Sequence, residues 1–369
     1  MEKETKTRII LIITIIILFI ILSSLLLYIF IPKNNNEKEI LYSEKAINIM
    51  KNYDIYDEII KYDYSKTIEK MLENESFKTN YIESYLDVNY ISIENFDIIT
   101  NSLLDKKYNS NEINYIFNNY IENIDILLNM EYINILQFKD ITNFNINNID
   151  RYLKYQEKKE YDIKTVVTYV NIGLDQKGYS TYNSYTEEEA NNDITILVNK
   201  YNKLPDNYEP YDLVSLSYDS FYTLRKDAAE SFEKLTSAAL IDNVVFYPFS
   251  AYRSFATQKV LYTRYKNRDG EELADTYSAR PGFSEHQLGL AVDIRSNTLN
   301  DNLTDKDYEW ILNNSYKYGF IVRYPKGKSH ITQFIEEPWH LRYLGIELAT
   351  KVYESGLTYD EYYDIYLKK

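Results

Sequence analysis

Ser278-Ala279-Arg280-Pro281-Gly282-Phe283-Ser284-Glu285-His286-Gln287-Leu288-Gly289-Leu290-Ala291-Val292-Asp293 is the stretch on which the reading of this chain turns. Pro281-Gly282 marks a turn. Leu290 to Ile294 is short, apolar and suited to a strand. That puts His286 on the loop entering the strand and Asp293 on the strand itself, with Gly289 letting the backbone bend between them. A second stretch, Glu336-Glu337-Pro338-Trp339-His340-Leu341-Arg342-Tyr343, adds a histidine with carboxylates three and four residues before it. The chain has 3 histidines, His286, His330 and His340, and all lie in its last quarter. Imidazole chemistry in this protein belongs there.

These residue types suit a metal. A catalytic zinc takes three nitrogen or oxygen ligands and leaves one position open. The chain has 0 cysteines, which excludes disulfides, thiolate nucleophiles and cysteine-ligated zinc. Two histidines and one aspartate, His286, His340 and Asp293, make a natural set. Zinc lowers the pKa of water toward ~7, and a carboxylate near the metal but not bound to it can take the proton. Glu337 suits that role. His330, in "PKGKSHIT", fits no such position and reads as a loop histidine. Trp339 reads as a packing or cavity-wall residue.

The two stretches resemble the VanY-type D-alanyl-D-alanine carboxypeptidases, zinc metallopeptidases grouped with D-Ala-D-Ala dipeptidases and L,D-carboxypeptidases. The family pattern Ser-x-His-x-x-Gly-x-Ala-x-Asp is met by Ser284, His286, Gly289, Ala291 and Asp293. The pattern Glu-x-Trp-His is met by Glu337, Trp339 and His340. A third, a strand ending in Tyr-Arg-Ser followed by Gln, appears as Tyr252-Arg253-Ser254 and Gln258. The likeness covers roughly residues 200–355.

The resemblance implies one zinc per catalytic domain, held by His286, Asp293 and His340, with Glu337 as base. It implies that Arg253 stabilises the developing oxyanion, and that Ser284, Gln258 and Tyr252 belong to the substrate pocket. Many relatives carry His where this chain has Phe283, so the pocket rim is expected to differ. The implied reaction is removal of the terminal D-Ala from peptidoglycan stem peptides. The same metal apparatus would serve an L,D-carboxypeptidase acting on tetrapeptide stems. A non-catalytic wall-binding or sensing protein with a vestigial site is the third reading, and intact Glu337 and Arg253 argue against it.

The surrounding pattern predicts an α+β catalytic domain over residues 161–369, a small antiparallel sheet flanked by helices. Val166 to Gly173 reads as a strand, being β-branched and aromatic. Tyr218 to Leu240 reads as one amphipathic helix with Phe221, Leu224, Ala228, Phe232, Leu235 and Ala239 on one face. Val244 to Phe249 is a predicted strand leading to Arg253, and Ser254 to Tyr265 a helix. Thr304 and Asp307 form a capping pair for a helix ending at Gly319. Phe320 to Tyr324 and Trp339 to Tyr343 are predicted strands, with a turn at Pro325 to Lys328.

Further out, Ile9 to Ile31 is uncharged over 23 residues. As a helix it would reach about 35 Å, enough to cross a bilayer core of about 30 Å. No cleavage site precedes Pro32, so an uncleaved single-pass signal anchor is expected, after a cytoplasmic residue 1–8 segment. Lys3, Lys6 and Arg8 before the span favour that orientation, with the bulk of the chain outside. Residues 32–160 are expected to form an α-helical stem, either a spacer or a wall- or partner-binding module, with the spacer favoured. Ser110 or Asn111 is the expected cap of one of its helices. Tyr85-Leu86 and Tyr152-Leu153 point to a repeated helical hairpin.

The net charge of -15 argues against nucleic acid as a partner, since such binding rests on basic patches. The implied partners are peptidoglycan stem peptides and, through the anchor, the membrane of a monoderm bacterium. The sequence does not specify an oligomeric state.

Overall fold

The computed structural model describes residues 41–296 and 303–368. They cluster into two compact units that divide between Leu136 and Gln137. The expected anchor, Ile9 to Ile31, lies outside the described residues. Among the described residues no helix is long and apolar enough to cross a membrane.

The first unit is helical throughout, as the stem was expected to be. Its longer helices are α1 (Glu44–Asn52), α2 (Lys66–Glu73), α3 (Phe96–Asp105) and α4 (Ser110–Asn119). Three of them start the same way: a tyrosine, then a polar cap, at Tyr42-Ser43, Tyr64-Ser65 and Tyr108-Asn109. The cap oxygen takes an orphan N–H of the first turn, at 3.3 Å in α1 and α2 and 3.1 Å in α4. Tyr42 Oη accepts from the backbone N–H of Ser65, and Tyr108 Oη from that of Ile133. The ring fills the core while its hydroxyl satisfies the next segment's backbone. Asn109, not Ser110 or Asn111, caps α4, because Glu112 three residues on closes a capping box around it.

The second unit begins earlier than residue 161. Residues 137–160, expected in the stem, cluster with the carboxy-terminal unit. Helix α5 (Ile149–Gln156) packs on α6 (Ile163–Asn171). Arg151 pairs with Asp175 at 2.6 Å, and Tyr152 Oη donates to Asn171 Oδ1 at 2.6 Å. Asn143 and Asn171 both donate to Asp364 Oδ2, at 2.7 and 3.1 Å, tying this segment to the last helical turns.

Two sequence expectations fail here. Val166 to Gly173 is not a strand: Asp162 caps α6 through Thr165 N–H at 3.0 Å, and Val166, Val167 and Val170 form a buried helical stripe. Their burial outweighs the few tenths of a kcal/mol that β-branched residues cost in a helix. Nor is Tyr218 to Leu240 a single helix. Residues 213–225 form an antiparallel hairpin of β1 (Leu213–Leu216) and β2 (Asp219–Arg225), and α7 starts at Lys226 and runs to Ile241. Phe221 and Leu224 matched the helical spacing, yet Phe221 is 83% exposed while Leu224 is buried. Aromatic and β-branched residues at 221–223, with a pairing partner at 213–216, favour the pleated form.

The rest follows the predicted pattern. After α7 come β3 (Phe246–Ser250), α8 (Phe255–Asp269), α9 (Glu271–Tyr277) and β4 (Ala291–Ser296). Then follow α10 (Asp305–Asn314), β5 (Phe320–Tyr324), β6 (Glu337–Tyr343), α11 (Ile346–Ser355) and α12 (Tyr359–Tyr362). Thr304 and Asp307 form the expected capping box at the start of α10. Strands β3 to β6 make an antiparallel sheet in the order β3-β4-β6-β5. Its core face packs Phe246, Val292, Phe320 and Leu341 against Phe232 and Leu235 of α7, each such burial worth about 1.5–3 kcal/mol. The fold is α+β.

Tyr152→Phe in the full chain should lower the stability of the second unit by about 0.5–1.5 kcal/mol, since it removes the hydrogen bond that the buried Tyr152 hydroxyl donates to Asn171. Urea unfolding followed by near-UV circular dichroism measures this. An unchanged midpoint would show that this hydrogen bond contributes nothing to that unit.

Candidate metal centre and active-site cavity

The sheet places the two stretches side by side. Asp293 on β4 stands directly opposite His340 on β6 in the antiparallel register. His286 sits on a 3-10 turn, Glu285–Leu288, which Gly289 ends at φ +67. A side chain at Gly289 would be strained there and would meet Leu213 at 2.9 Å. Arg253 N–H donates to the His286 carbonyl at 3.1 Å, so the Tyr-Arg-Ser segment and the histidine turn hold one another.

His286 Nε2 lies 3.0 Å from Asp293 Oδ2, and His340 Nδ1 lies 2.9 Å from Asp293 Oδ1. One ligand atom from each of the three buried residues lies within 4.8 Å of the others. The outward-facing nitrogens are occupied. His286 Nδ1 donates to the Ala251 carbonyl at 2.8 Å, and His340 Nε2 faces Glu285 Oε2 at 3.2 Å. Each ring therefore presents its remaining nitrogen to the shared centre, the arrangement by which proteins orient metal-bound imidazoles.

Electrostatics point the same way. Burial disfavours charge on His340, but Asp293 and Glu285 outweigh it and push the imidazole up to about 10. Burial alone would raise the Asp293 carboxyl; His286 and His340 hold it well below the usual carboxylate range. Burial keeps His286 neutral, with its pKa lowered. The centre thus favours positive charge. Two nitrogens, a carboxylate and this preference fit zinc, which takes such ligands at about 2.0–2.2 Å.

The centre opens into a cavity of about 580 Å³. Glu337 heads β6 with Oε2 3.9 Å from His340 Nδ1, near the ligands but beside them. Burial pushes its carboxyl up to about 7, with His340 and Arg253 pulling the other way. On the other side Arg253 Nη2 lies 3.9 Å from Asp293 Oδ2. Its guanidinium is held by Gln258 Oε1 at 2.7 Å and Ser250 Oγ at 2.6 Å. Gln258 in turn donates to the Ala279 carbonyl at 2.6 Å. Its amide is committed to fixing Arg253, although it also faces the cavity. Ser284 and Trp339 line the cavity, together with Phe249, Tyr265, Phe334 and Ile335.

Tyr252 is not among the cavity-lining residues; its backbone N–H donates to the Thr223 carbonyl on β2. Phe283 does not line the cavity either. It is buried edge-on against Tyr179 and Tyr182, so the departure from histidine there is a packing change. His330 is exposed and outside the centre.

Sequence reasoning missed the groups behind His340. Glu285, Arg323, Arg342 and Asp360 are all buried. Arg323 and Arg342 carried a signal: each is a cation inside a short apolar strand, "FIVRY" and "WHLRY", where an inward charge needs a buried partner.

Residues 222–346 match the family model described as VanY, D-alanyl-D-alanine carboxypeptidase. A protein named putative carboxypeptidase YodJ from Bacillus subtilis (strain 168) is 40% identical over 183 residues, which is 46% of this chain and 67% of that protein. A bifunctional D-Ala-D-Ala dipeptidase and D-Ala-D-Ala carboxypeptidase, VanXYC of Enterococcus gallinarum, is 31% identical over 176 residues, 46% of this chain and 92% of that one. Among solved structures, a mutant of the vancomycin-resistance D,D-pentapeptidase VanY in complex with Zn(II) is 38% identical. It aligns with a TM-score of 0.41 over 46% of this chain and 97% of that one. With the zinc-fitting triad in place and a relative matched over nearly its whole length, the chain belongs to the VanY family of D-alanyl-D-alanine carboxypeptidases.

Proposed function

We propose that this protein is a zinc-dependent carboxypeptidase that hydrolyses the terminal D-Ala-D-Ala bond of peptidoglycan stem peptides. The observation that carries this is the convergence of the His286, Asp293 and His340 ligand atoms at the base of a cavity flanked by Glu337 and Arg253. One zinc would be held by those three residues. When bound, it supplies Lewis acidity, polarising a carbonyl and making water a nucleophile near neutral pH.

The chain's own groups do the rest. Glu337, its carboxyl tuned near neutrality by burial, takes a proton from the attacking water and returns it to the leaving amine. Arg253, pre-oriented by Gln258 and Ser250, donates to the oxygen that gains charge in the transition state. Phe249, Phe334 and Trp339 give the cavity part of an apolar wall against which a substrate can pack. Asp293, Glu337 and His340 stand on strands and His286 on a tight turn, which hold geometry better than long loops; Arg253, on the short link between β3 and α8, is tied to that turn through the His286 carbonyl.

The same reading puts the catalytic unit outside the cell, with Ile9 to Ile31 as a single-pass anchor in a monoderm membrane. The length and lack of charge of that run support it. Residues 41–136 then act as the helical spacer.

The deciding experiment incubates the ectodomain with defined muropeptides, with and without chelator, and reads products by mass spectrometry. Pentapeptide stems should lose one D-Ala and chelator should stop the reaction; cleavage of tetrapeptide stems alone would overturn the assignment. Glu337→Gln should keep zinc and lose roughly 10²–10⁴ in kcat.

A pH dependence follows from His340. Its folded pKa, about 10, exceeds the ordinary 6.5, so its proton contributes stability that is fully present below pH 6.5 and lost as pH rises through 10. Metal-free protein should therefore melt at falling temperature between pH 6.5 and 10, and His340→Ala should flatten the slope. Zinc-loaded protein should lack this component, because the metal takes the proton's place. Equal slopes for the wild type and His340→Ala would refute it.

A further inference from the structure

The mechanism leaves one group of buried charges unused. Glu285, Arg323, Arg342 and Asp360 have side chains that are 0, 1, 0 and 4% exposed. Glu285 divides its two oxygens. Oε1 accepts from Arg323 Nε at 2.9 Å and Arg342 Nη1 at 3.0 Å. Oε2 faces His340 Nε2 at 3.2 Å.

Arg342 is braced by the carbonyls of Ile194 and Ile196, at 2.8 and 3.0 Å. Arg323 grips Asp360 of α12 with both terminal nitrogens, at 2.6 and 3.2 Å. Asp360 also accepts from Asn199 at 2.9 Å. Every charge is paired, yet such a network is a poor source of stability: well-packed apolar residues of similar volume commonly do as well or better. Its geometry gives it another use. A carboxylate fixed at Nε2 makes that nitrogen the donor. It leaves Nδ1 as the nitrogen turned toward Asp293 and the shared centre, free to give its lone pair to a metal once its proton has left.

We propose that Glu285 is a positioning residue that sets the tautomer and orientation of His340, and that Asp360, through Arg323, makes helix α12 part of the support of the metal centre. This rests on the reading of His340 as a metal ligand. Two guanidiniums on one oxygen stop the carboxylate from rotating, so the other oxygen stays on the histidine. The chain Asp360–Arg323–Glu285–His340 links α12, β5, the histidine turn and β6 by direct contacts.

The test uses the full chain with Glu285→Gln, Asp360→Asn and His340→Ala. It measures zinc affinity by competition with a chromophoric chelator, kcat and KM at saturating zinc, and the melting temperature of the metal-free protein. Glu285→Gln should weaken zinc binding by roughly 10–100-fold and lower kcat with KM little changed. Asp360→Asn should shift both in the same direction by a smaller factor, since it reaches His340 through three contacts where Glu285 reaches it through one.

The imidazole N–H signal of His340 in nitrogen-edited NMR of the zinc form should move in Glu285→Gln. A purely structural network predicts lower melting temperatures with wild-type zinc affinity and kcat, and that result would overturn the proposal. Should Glu285→Gln fail to fold, Asp360→Asn, which leaves Glu285 in place, decides by the same criterion. If His340→Ala loses zinc while Glu285→Gln and Asp360→Asn do not, the positioning role alone fails. If His340→Ala keeps wild-type affinity, the ligand assignment itself is wrong.

Discussion

The pairing of Asp293 with His340 across β4 and β6 is the constraint on which the rest of the site depends. Side chains alternate faces along a strand, so a slip of one residue would turn one partner to the opposite side of the sheet. The apolar neighbours fix the register. Val292 and Leu341, opposite each other, enter the core beneath α7, and exposing either would cost kilocalories. The hydrophobic core thus sets the metal geometry, and the ligands need no flexible loop. His286 joins them through the turn that Gly289 ends, where an L side chain would be strained and would collide with Leu213.

Around that pair, function is layered by distance. Nearest are the residues that can touch metal or substrate: Glu337, with its carboxyl raised by burial, and Arg253, whose guanidinium is desolvated. Next come residues that hold these in place. Gln258 spends its amide on Arg253 and Ala279, Ala251 and Glu285 fix the histidine rings, and Arg323 and Arg342 fix Glu285. Desolvation explains why the charged outer residues are paired. Burial alone would raise the Glu285 carboxyl, and the two guanidiniums reverse this, holding it ionised well below the usual carboxylate range.

The sequence made much of this readable because the chemistry is local. His286 to Asp293 is a turn and the start of a strand, and Glu337 to His340 lies along one strand. The Thr304–Asp307 cap and the strand at Phe320 to Tyr324 were likewise visible from short patterns. What escaped was non-local. The helical spacing of Phe221, Leu224 and Ala228 was genuine, but a strand partner at 213–216 took the first two. The β-branched run at Val166 follows an aspartate cap and buries a helical stripe. The boundary near residue 137 depends on Asp364 receiving Asn143 and Asn171 from more than 190 positions away. Glu285 stood in the decisive stretch, but its purpose is visible only once β5, β6 and α12 surround it.

The position of Asp360 also gives the segment after β6 a part in the metal centre. It follows His340 in the chain, on a helix held to β5 through Arg323. Without Asp360, Arg323 would lose its counter-charge and Glu285 would rest on Arg342 alone. The strand register would still bring Asp293 and His340 together, but the His340 ring would be held less firmly. On the positioning role proposed above, α12 thus completes the support of a metal centre whose ligands all lie before it in the chain.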